Sequence, residues 1–428
     1  MQGVLLKTTA VRMYGKRDLR LESFELPEMR EDEILAHIVS DSLCMSSYKA
    51  AIQGSEHKRV PKNIATSPVM IGHEFCGEIV SVGSKWAGKY SSGDRFTIQP
   101  ALNYRDSLDA PGYSYQWIGG SATYILIPNE VMEMNCLLRY DQEAYYFGSL
   151  SEPMSCIVGA FRASYHVPQG TYEHKMGIKP GGVMAILAGA GPMGLGAIDL
   201  AIHGDVKPRK LVVTDIDNAR LKRAESLFSN AEAAKNGVEL IYLNTAEQPM
   251  GDGLTGEFDD VFVMAPVVAL VEQADSILGK DGCMNFFAGP TNPEFSARIN
   301  FYNMHYLFRH IVGTSGGNIE DMRISLELMR KGKVNPSVMI THVGGLNAVP
   351  ETTLNLPKIP GGKKLIYTNV NLPLTAIDDF ERLGDSDKFW ADLAMICARN
   401  RGIWNSESEA YLFAKAPIIG GNSGFQES

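Results

Sequence analysis

The sequence predicts an α/β fold in two parts with a C-terminal helical extension, and three observations carry it. Strand-like stretches broken by Gly, Pro and Asp fill the first 150 residues. Strands and helices then alternate between residues 183 and 314. Between the first strand and first helix of that run lies Gly189-Ala190-Gly191-Pro192-Met193-Gly194. Short strands with turn signals make a compact β-rich domain, whereas a βαβ rhythm makes a parallel, doubly wound sheet.

In the first part, residues 34–39, 78–83, 94–98 and 122–127 read as strands. The texture changes near Glu152. Residues 155–165 read as a helix, and 177–182, with Pro180, as a connector. Residues 183–188 form an apolar strand and 193–203 a helix. Residues 210–214 form a strand ending at Asp215, and Asp217 caps a helix running to 228. Strands at 240–243, 260–264, 282–288 and 310–314 complete this part. From about Asn335 the chain is expected to return to the first domain, with 363–368 as its closing strand. In 378–399, Phe380, Leu383, Phe389, Trp390, Leu393 and Ile396 form one apolar helical face, interrupted at Gly384. The expected boundaries are 1–165, 166–335, 336–370 and 371–428.

A chain of 428 residues has ample core. Its 40 basic and 49 acidic residues give a formal charge of −9, which argues against a general nucleic-acid binder. The first 15 residues hold Lys7 and Arg12 and lack an apolar run, so no signal peptide is expected. Nor does any stretch reach the length of a membrane span. Cysteines 44, 76, 136, 156, 283 and 397 show no CxxC spacing, which suits free thiols in a reducing cytoplasm.

The glycine-rich loop sits where a dinucleotide-binding loop belongs: after an apolar strand, before a helix, with Asp215 at the end of the next strand. The first glycine allows the tight turn, Gly191 admits the pyrophosphate, and Gly194 lets helix and strand pack closely. Pro192 and Met193 open the helix whose N-terminus would face the phosphates. Asp215 would bind the adenosine ribose and repel a 2′-phosphate, favouring NAD over NADP. Arg220 and Lys222 follow and would soften that preference.

Upstream lie Cys44, His73, Glu74 and Glu152, each able to bind zinc. Taken singly, the cysteine also reads as a small buried hydrophobe and the histidine as a hydrogen-bonded core residue. The setting favours a fixed ligand edge: a glycine precedes His73-Glu74 and a strand pattern follows. A polarising metal and a nicotinamide-holding loop together point to hydride transfer between NAD(P)H and a carbonyl or alcohol.

The motif Gly72-His73-Glu74-Phe75-Cys76-Gly77-Glu78-Ile79-Val80-Ser81-Val82-Gly83 resembles the signature of the zinc-dependent medium-chain alcohol and polyol dehydrogenases. Ser42-Leu43-Cys44-Met45-Ser46, Gly93-Asp94-Arg95, Glu152-Pro153-Met154-Ser155 and the Gly189 loop occur in the family's order, so the resemblance covers about residues 7 to 370. Leu43-Cys44-Met45-Ser46-Ser47, the 283–290 segment and Gly361-Gly362-Lys363-Lys364-Leu365 resemble its sugar-phosphate reductase branch. The resemblance implies a GroES-like catalytic domain and a Rossmann domain. It implies Cys44, His73, Glu74 and Glu152 at the zinc, with Glu74 binding directly or through water. Ser46 would relay the substrate proton. Phe287, Ala288, Gly289 and Thr314 would line the nicotinamide, and Lys364 would lie near the pyrophosphate. Residues 99–117 hold no cysteine, which implies one zinc per chain and no structural second ion. Position 47 is Ser where many members have Asp, so the orienting of His73 falls to Ser47 or another residue.

The expected substrate is a keto-sugar phosphate or polyol phosphate, with Lys49, Arg162, His305 and Lys363 as candidate phosphate ligands or plain surface groups. The alternatives are a free polyol, secondary alcohol or threonine-like substrate, and a non-catalytic nucleotide-binding protein. A homo-oligomer is expected, with the apolar tail, including Trp390 and Trp404, either at a subunit interface or packed on its own domain.

Overall fold

A computed structural model describes residues 6–248, 250 and 256–419; the ends of the first domain and of the extension, 1–5 and 420–428, lie outside it. The chain forms two compact units, Met1–Glu152 with Ile340–Ser428, and Pro153–Met339.

The second unit carries a six-stranded, wholly parallel sheet. Its order is Glu239–Asn244, Lys210–Asp215, Val183–Leu187, Phe258–Val263, Leu278–Phe286, His310–Gly313. In chain sequence that is 3-2-1-4-5-6, the doubly wound order with its switch point beside the first strand. The central strand is buried along its whole length, as a sheet covered on both faces requires. Helices Pro192–His203, Asn218–Leu227 and Val268–Ile277 are among the crossovers, and Ile319–Arg330 follows the last strand. Asp217 caps its helix by accepting from the Ala219 and Arg220 amides. The Val268–Ile277 and Ile319–Arg330 helices were not resolved from the sequence. The helix expected at 155 begins at Ser151, because Pro153 falls in its first turn, where proline is tolerated.

The first unit is built on a largely antiparallel sheet. Its path runs Thr375–Ala376, Ile340–Gly345, Lys363–Tyr367, Ile34–Leu43, Phe75–Val82, Arg95–Ile98, Leu137–Arg139, with Tyr124–Ile127 also paired to Ile34–Leu43. The closing strand expected near 363 is therefore present, antiparallel to Ile34–Leu43.

The tail belongs to this unit. Its apolar face splits into Phe380–Gly384 and Lys388–Arg399, and Ser406–Lys415 follows. Gly384 ends the first helix where a side chain would strike Ala391. Trp404 is fully buried and Trp390 nearly so. Trp404 Nε1 donates to the Tyr367 hydroxyl at 2.7 Å, and that hydroxyl donates to Glu409 at 2.7 Å. The Glu409 carboxylate also accepts from the Tyr145 and Tyr146 amides, at 2.6 and 3.0 Å. Burial pushes the Glu409 carboxyl up, although these donors pull the other way. Three donors converge on one buried carboxylate, and each would cost about 1–3 kcal/mol if left unpaired. The two tryptophans are thus packed within their own unit. No helix among the described residues is long and apolar enough to cross a membrane.

Candidate active site

Strand Ile34–Leu43 runs antiparallel to Phe75–Val82 on one side and to Lys363–Tyr367 on the other. Its last residues therefore lie beside the first residues of both neighbours: Asp41 opposes Phe75, and Leu43 opposes Lys364. Cys44 follows the first strand, His73 and Glu74 precede the second, and Lys363 opens the third. One sheet edge collects all four. Gly72 permits the approach, with φ +93 and no room for a Cβ against the Asp41 carboxylate and Ser121.

Ligand atoms of Cys44, His73 and Glu74 lie within 4.8 Å of one another. His73 is buried, with Nδ1 3.2 Å from Ser47 Oγ and Nε2 3.2 Å from the Tyr113 hydroxyl. Ser47 thus takes the orienting place, with a neutral hydroxyl where many relatives of this pattern have a carboxylate. Burial holds the imidazole neutral, pulling it down to about 4 against the opposing charge of Glu74. An Nδ1–H directed at Ser47 makes Nε2 the acceptor, which here takes the Tyr113 hydroxyl and is the atom on which a metal would replace it.

Both Glu74 oxygens accept from Lys363 Nζ, at 2.5 and 2.6 Å, and Ser42 Oγ donates to one of them. Burial raises the Glu74 carboxyl, but Lys363 and His73 outweigh it and hold it below the ordinary range. Burial likewise opposes the Lys363 ammonium, while Glu74, Cys44 and Glu152 raise it above the usual lysine value. The pair is ionised. Lys363 is therefore neither a surface charge nor open to a phosphate: it is the buried counter-ion of Glu74.

The Cys44 thiol is pushed up to about 12, first by burial and then by Glu74, with Lys363 opposing. A thiol in this state loses its proton when a cation takes the proton's place. Glu152, buried in the first turn of helix Ser151–Ala163, also raises Cys44, but it stands outside the close group of three. Ser46, in the first turn of helix Met45–Gln53, is half-buried and hydrogen-bonded to the Tyr113 hydroxyl. Sulfur, imidazole and carboxylate donors on one buried edge suit zinc.

Other expected groups lie elsewhere. The Lys364 ammonium is buried and donates to the carbonyls of Ile359, Pro360 and Gly362 at 3.2, 3.0 and 2.7 Å. It holds that turn. Arg162 pairs with Asp321, and His305 is exposed against the Tyr306 ring. Lys49 lies in the Met45–Gln53 helix. Tyr113 and Ser42 escaped the sequence reading. Tyr113 lies in the 99–117 stretch, and its 40-residue separation from His73 leaves no spacing pattern.

In the second unit, the expected coenzyme residues gather at the C-terminal ends of the parallel strands, where ligands of doubly wound sheets bind. The Gly189 amide donates to Thr214 O at 2.7 Å. A Cβ on Gly194 would collide with the Gly189 carbonyl, whereas the same position on Gly191 meets open space. Gly191 caps the Pro192–His203 helix, and Met193 lies in its first turn. Asp215 is buried, and its carboxylate accepts from the amides of Ala190, Ile216 and Asp217 at 3.2, 2.9 and 3.1 Å. It therefore shapes the loop. Arg220 is exposed and lies 3.6 Å from Asp217. Phe287, Ala288 and Gly289 follow strand Leu278–Phe286, and the Ala288 amide donates to Val263 O at 3.1 Å. Thr314 donates to Asn285 at 3.3 Å, and Asn285 donates to Ala160 O at 2.9 Å.

Residues 30–135 match the family described as alcohol dehydrogenase GroES-like domain. A mannitol-1-phosphate 5-dehydrogenase of Aliivibrio fischeri is 53% identical over 416 residues, covering 95% of this chain and 98% of the relative. An L-sorbose 1-phosphate reductase of Klebsiella pneumoniae is 50% identical over 417 residues, covering 96% and 98%. Among solved structures, 2R,3R-butanediol dehydrogenase from Bacillus subtilis superposes with a TM-score of 0.67 at 22% identity, covering 85% of this chain and all of the other.

Two substitutions test the metal edge. Cys44→Ala should abolish zinc retention, and Ser47→Ala should weaken zinc binding about 10–100-fold, as loss of a ligand-orienting group does. Metal content after dialysis against graded chelator reads both, with coenzyme binding as the control for folding. An unchanged affinity in Ser47→Ala would remove Ser47 from the site.

Proposed function

The chain belongs to the zinc-dependent medium-chain dehydrogenase/reductase family, and on that footing we propose that it interconverts a keto-sugar phosphate and a polyol phosphate with a nicotinamide coenzyme. The observation that carries the substrate class is the pair of relatives, each about half identical over nearly the whole chain, named for sugar phosphates. One zinc, held by Cys44 and His73 with Glu74 and Glu152 as carboxylate donors, would supply the positive charge that polarises a carbonyl oxygen. No four-cysteine set exists in 99–117, so the proposal is one ion per chain.

The chain's own groups do the rest. Ser47 holds the His73 ring through Nδ1. Lys363 neutralises Glu74, so the edge carries less negative charge against an incoming anion. In reduction, Ser46 Oγ would relay a proton from solvent to the oxygen that gains charge, taking one up as it gives one, with the Tyr113 hydroxyl holding Ser46 in place. The Gly189 loop and the Pro192–His203 N-terminus seat the coenzyme pyrophosphate. Purified protein with NADH or NADPH should therefore reduce L-sorbose 1-phosphate with a higher kcat/KM than free L-sorbose. Equal values would end the phosphate assignment.

NAD is the proposed coenzyme, because the Asp215 carboxylate repels a 2′-phosphate. Since Asp215 also holds the Ala190 amide, the test keeps its shape: Asp215→Asn should lower the NAD-to-NADP preference by about tenfold, roughly the effect of 1.4 kcal/mol. A preference that does not move assigns the discrimination to another group.

A homo-oligomer is the proposed assembly. Strand His310–Gly313 is the outer strand of the parallel sheet, with Ile311 exposed, and Phe301, Tyr302, Tyr306 and Phe308 in the preceding segment are exposed too. Such an edge templates pairing with another chain. Light scattering should return a multiple of the chain mass; a monomer at micromolar concentration rules the assembly out.

A further inference from the structure

Near the candidate metal edge, one arginine is left without an acid among the described residues. Helix Met45–Gln53 ends in a tight turn at Gly54, and His57-Lys58-Arg59 follow. The His57 ring stacks on Tyr113 at 5.8 Å with an interplanar angle of 8°. The Arg59 guanidinium carbon lies 5.6 Å from the centre of the same ring. Tyr113 in turn lies 4.8 Å from the His73 ring, with its hydroxyl on Nε2. Two short ring contacts thus separate the guanidinium from the metal edge.

Arg59 is only partly exposed, and among the described residues no carboxylate pairs with it or with Lys58. Nearby Glu56 is directed to Lys16, at 3.8 Å. His57 is depressed first by burial and then by the positive charges of Arg59, Lys58 and Lys49. Arginines are seldom buried without a partner. Crowding like charges costs free energy that stacking on a tyrosine does not require. The chain as a whole carries −9, so this excess of positive charge is local. An uncompensated guanidinium offers a planar pair of donors that fits a phosphate in bidentate fashion.

We infer that Arg59, with Lys58 beside it, binds the phosphomonoester of the substrate and sets the preference for phosphorylated over free sugars. The inference rests on the sugar-phosphate reading above. It differs from the sequence expectation, which looked to Lys49, Arg162, His305 and Lys363. Two of those are now excluded by their partners, since Lys363 is spent on Glu74 and Arg162 on Asp321.

The test compares kcat/KM for L-sorbose 1-phosphate and L-sorbose in wild type, Arg59→Ala, Arg59→Gln and Arg59→Lys. Arg59→Gln keeps a side-chain stem on Tyr113 while removing the charge. Zinc content and NADH affinity report folding. The phosphorylated-to-free ratio should fall at least about 30-fold in Arg59→Ala and Arg59→Gln, the scale of losing one partner of a desolvated charge pair. Arg59→Lys should recover part of it. Inorganic phosphate should compete with the sugar phosphate in wild type and lose that competition in Arg59→Ala. A wild type indifferent to the phosphate overturns the substrate reading, and this inference with it. A wild type that prefers the phosphate, with variants that keep the preference, overturns Arg59 alone. A loss confined to NADH affinity also overturns it, by assigning the guanidinium to the coenzyme.

Discussion

The buried pair between Glu74 and Lys363 is the constraint on which the site depends. Two charges have been taken from water, so the attraction must be supported by close geometry and further hydrogen bonds. Both are present: the ammonium spans the two carboxylate oxygens, and Ser42 adds a third donor. The geometry follows from antiparallel pairing. Because Phe75–Val82 and Lys363–Tyr367 both begin where Ile34–Leu43 ends, an acid before one strand and a base at the head of the other must meet. Removing one partner of such a pair typically costs 3–5 kcal/mol, because it strands a buried charge. The same edge carries Cys44 and His73, so the pair that fixes the sheet end also fixes the group of three candidate metal donors.

Much of the fold was legible in the sequence, for physical reasons. Strands such as Val183–Leu187 are continuous apolar runs, as parallel strands buried on both faces must be. The Gly189 loop could be read because Gly189 and Gly194 answer steric demands, neither having room for a side chain. The break at Gly384 was legible for the same reason. Element ends were less so: the helix read from residue 155 begins at Ser151, with Pro153 inside its first turn. The shared edge of His73 and Glu74 was readable from their motif. What they touch was not, since Lys363 and Tyr113 reach them from distant segments.

The adjacent lysines illustrate the limit. Successive side chains of a strand point to opposite faces. Lys363 consequently turns to Glu74, and Lys364 to the carbonyls of its own entering turn. Composition at 363 and 364 is identical, and only the direction of the pleat separates a charge partner from a turn clasp. Arg59 is a similar case. Among the described residues no acid pairs with it, which only a folded chain displays.

The ammonium of Lys363 and the carboxylate of Glu74 are 289 residues apart in the chain. Translation runs from the N-terminus, so sulfur, imidazole and carboxylate leave the ribosome long before the base that steadies them. A nascent chain stopped short of residue 363 has three donors and a bare anion in place of an ion pair. The ion-paired form of this edge therefore requires a chain that extends through residue 363.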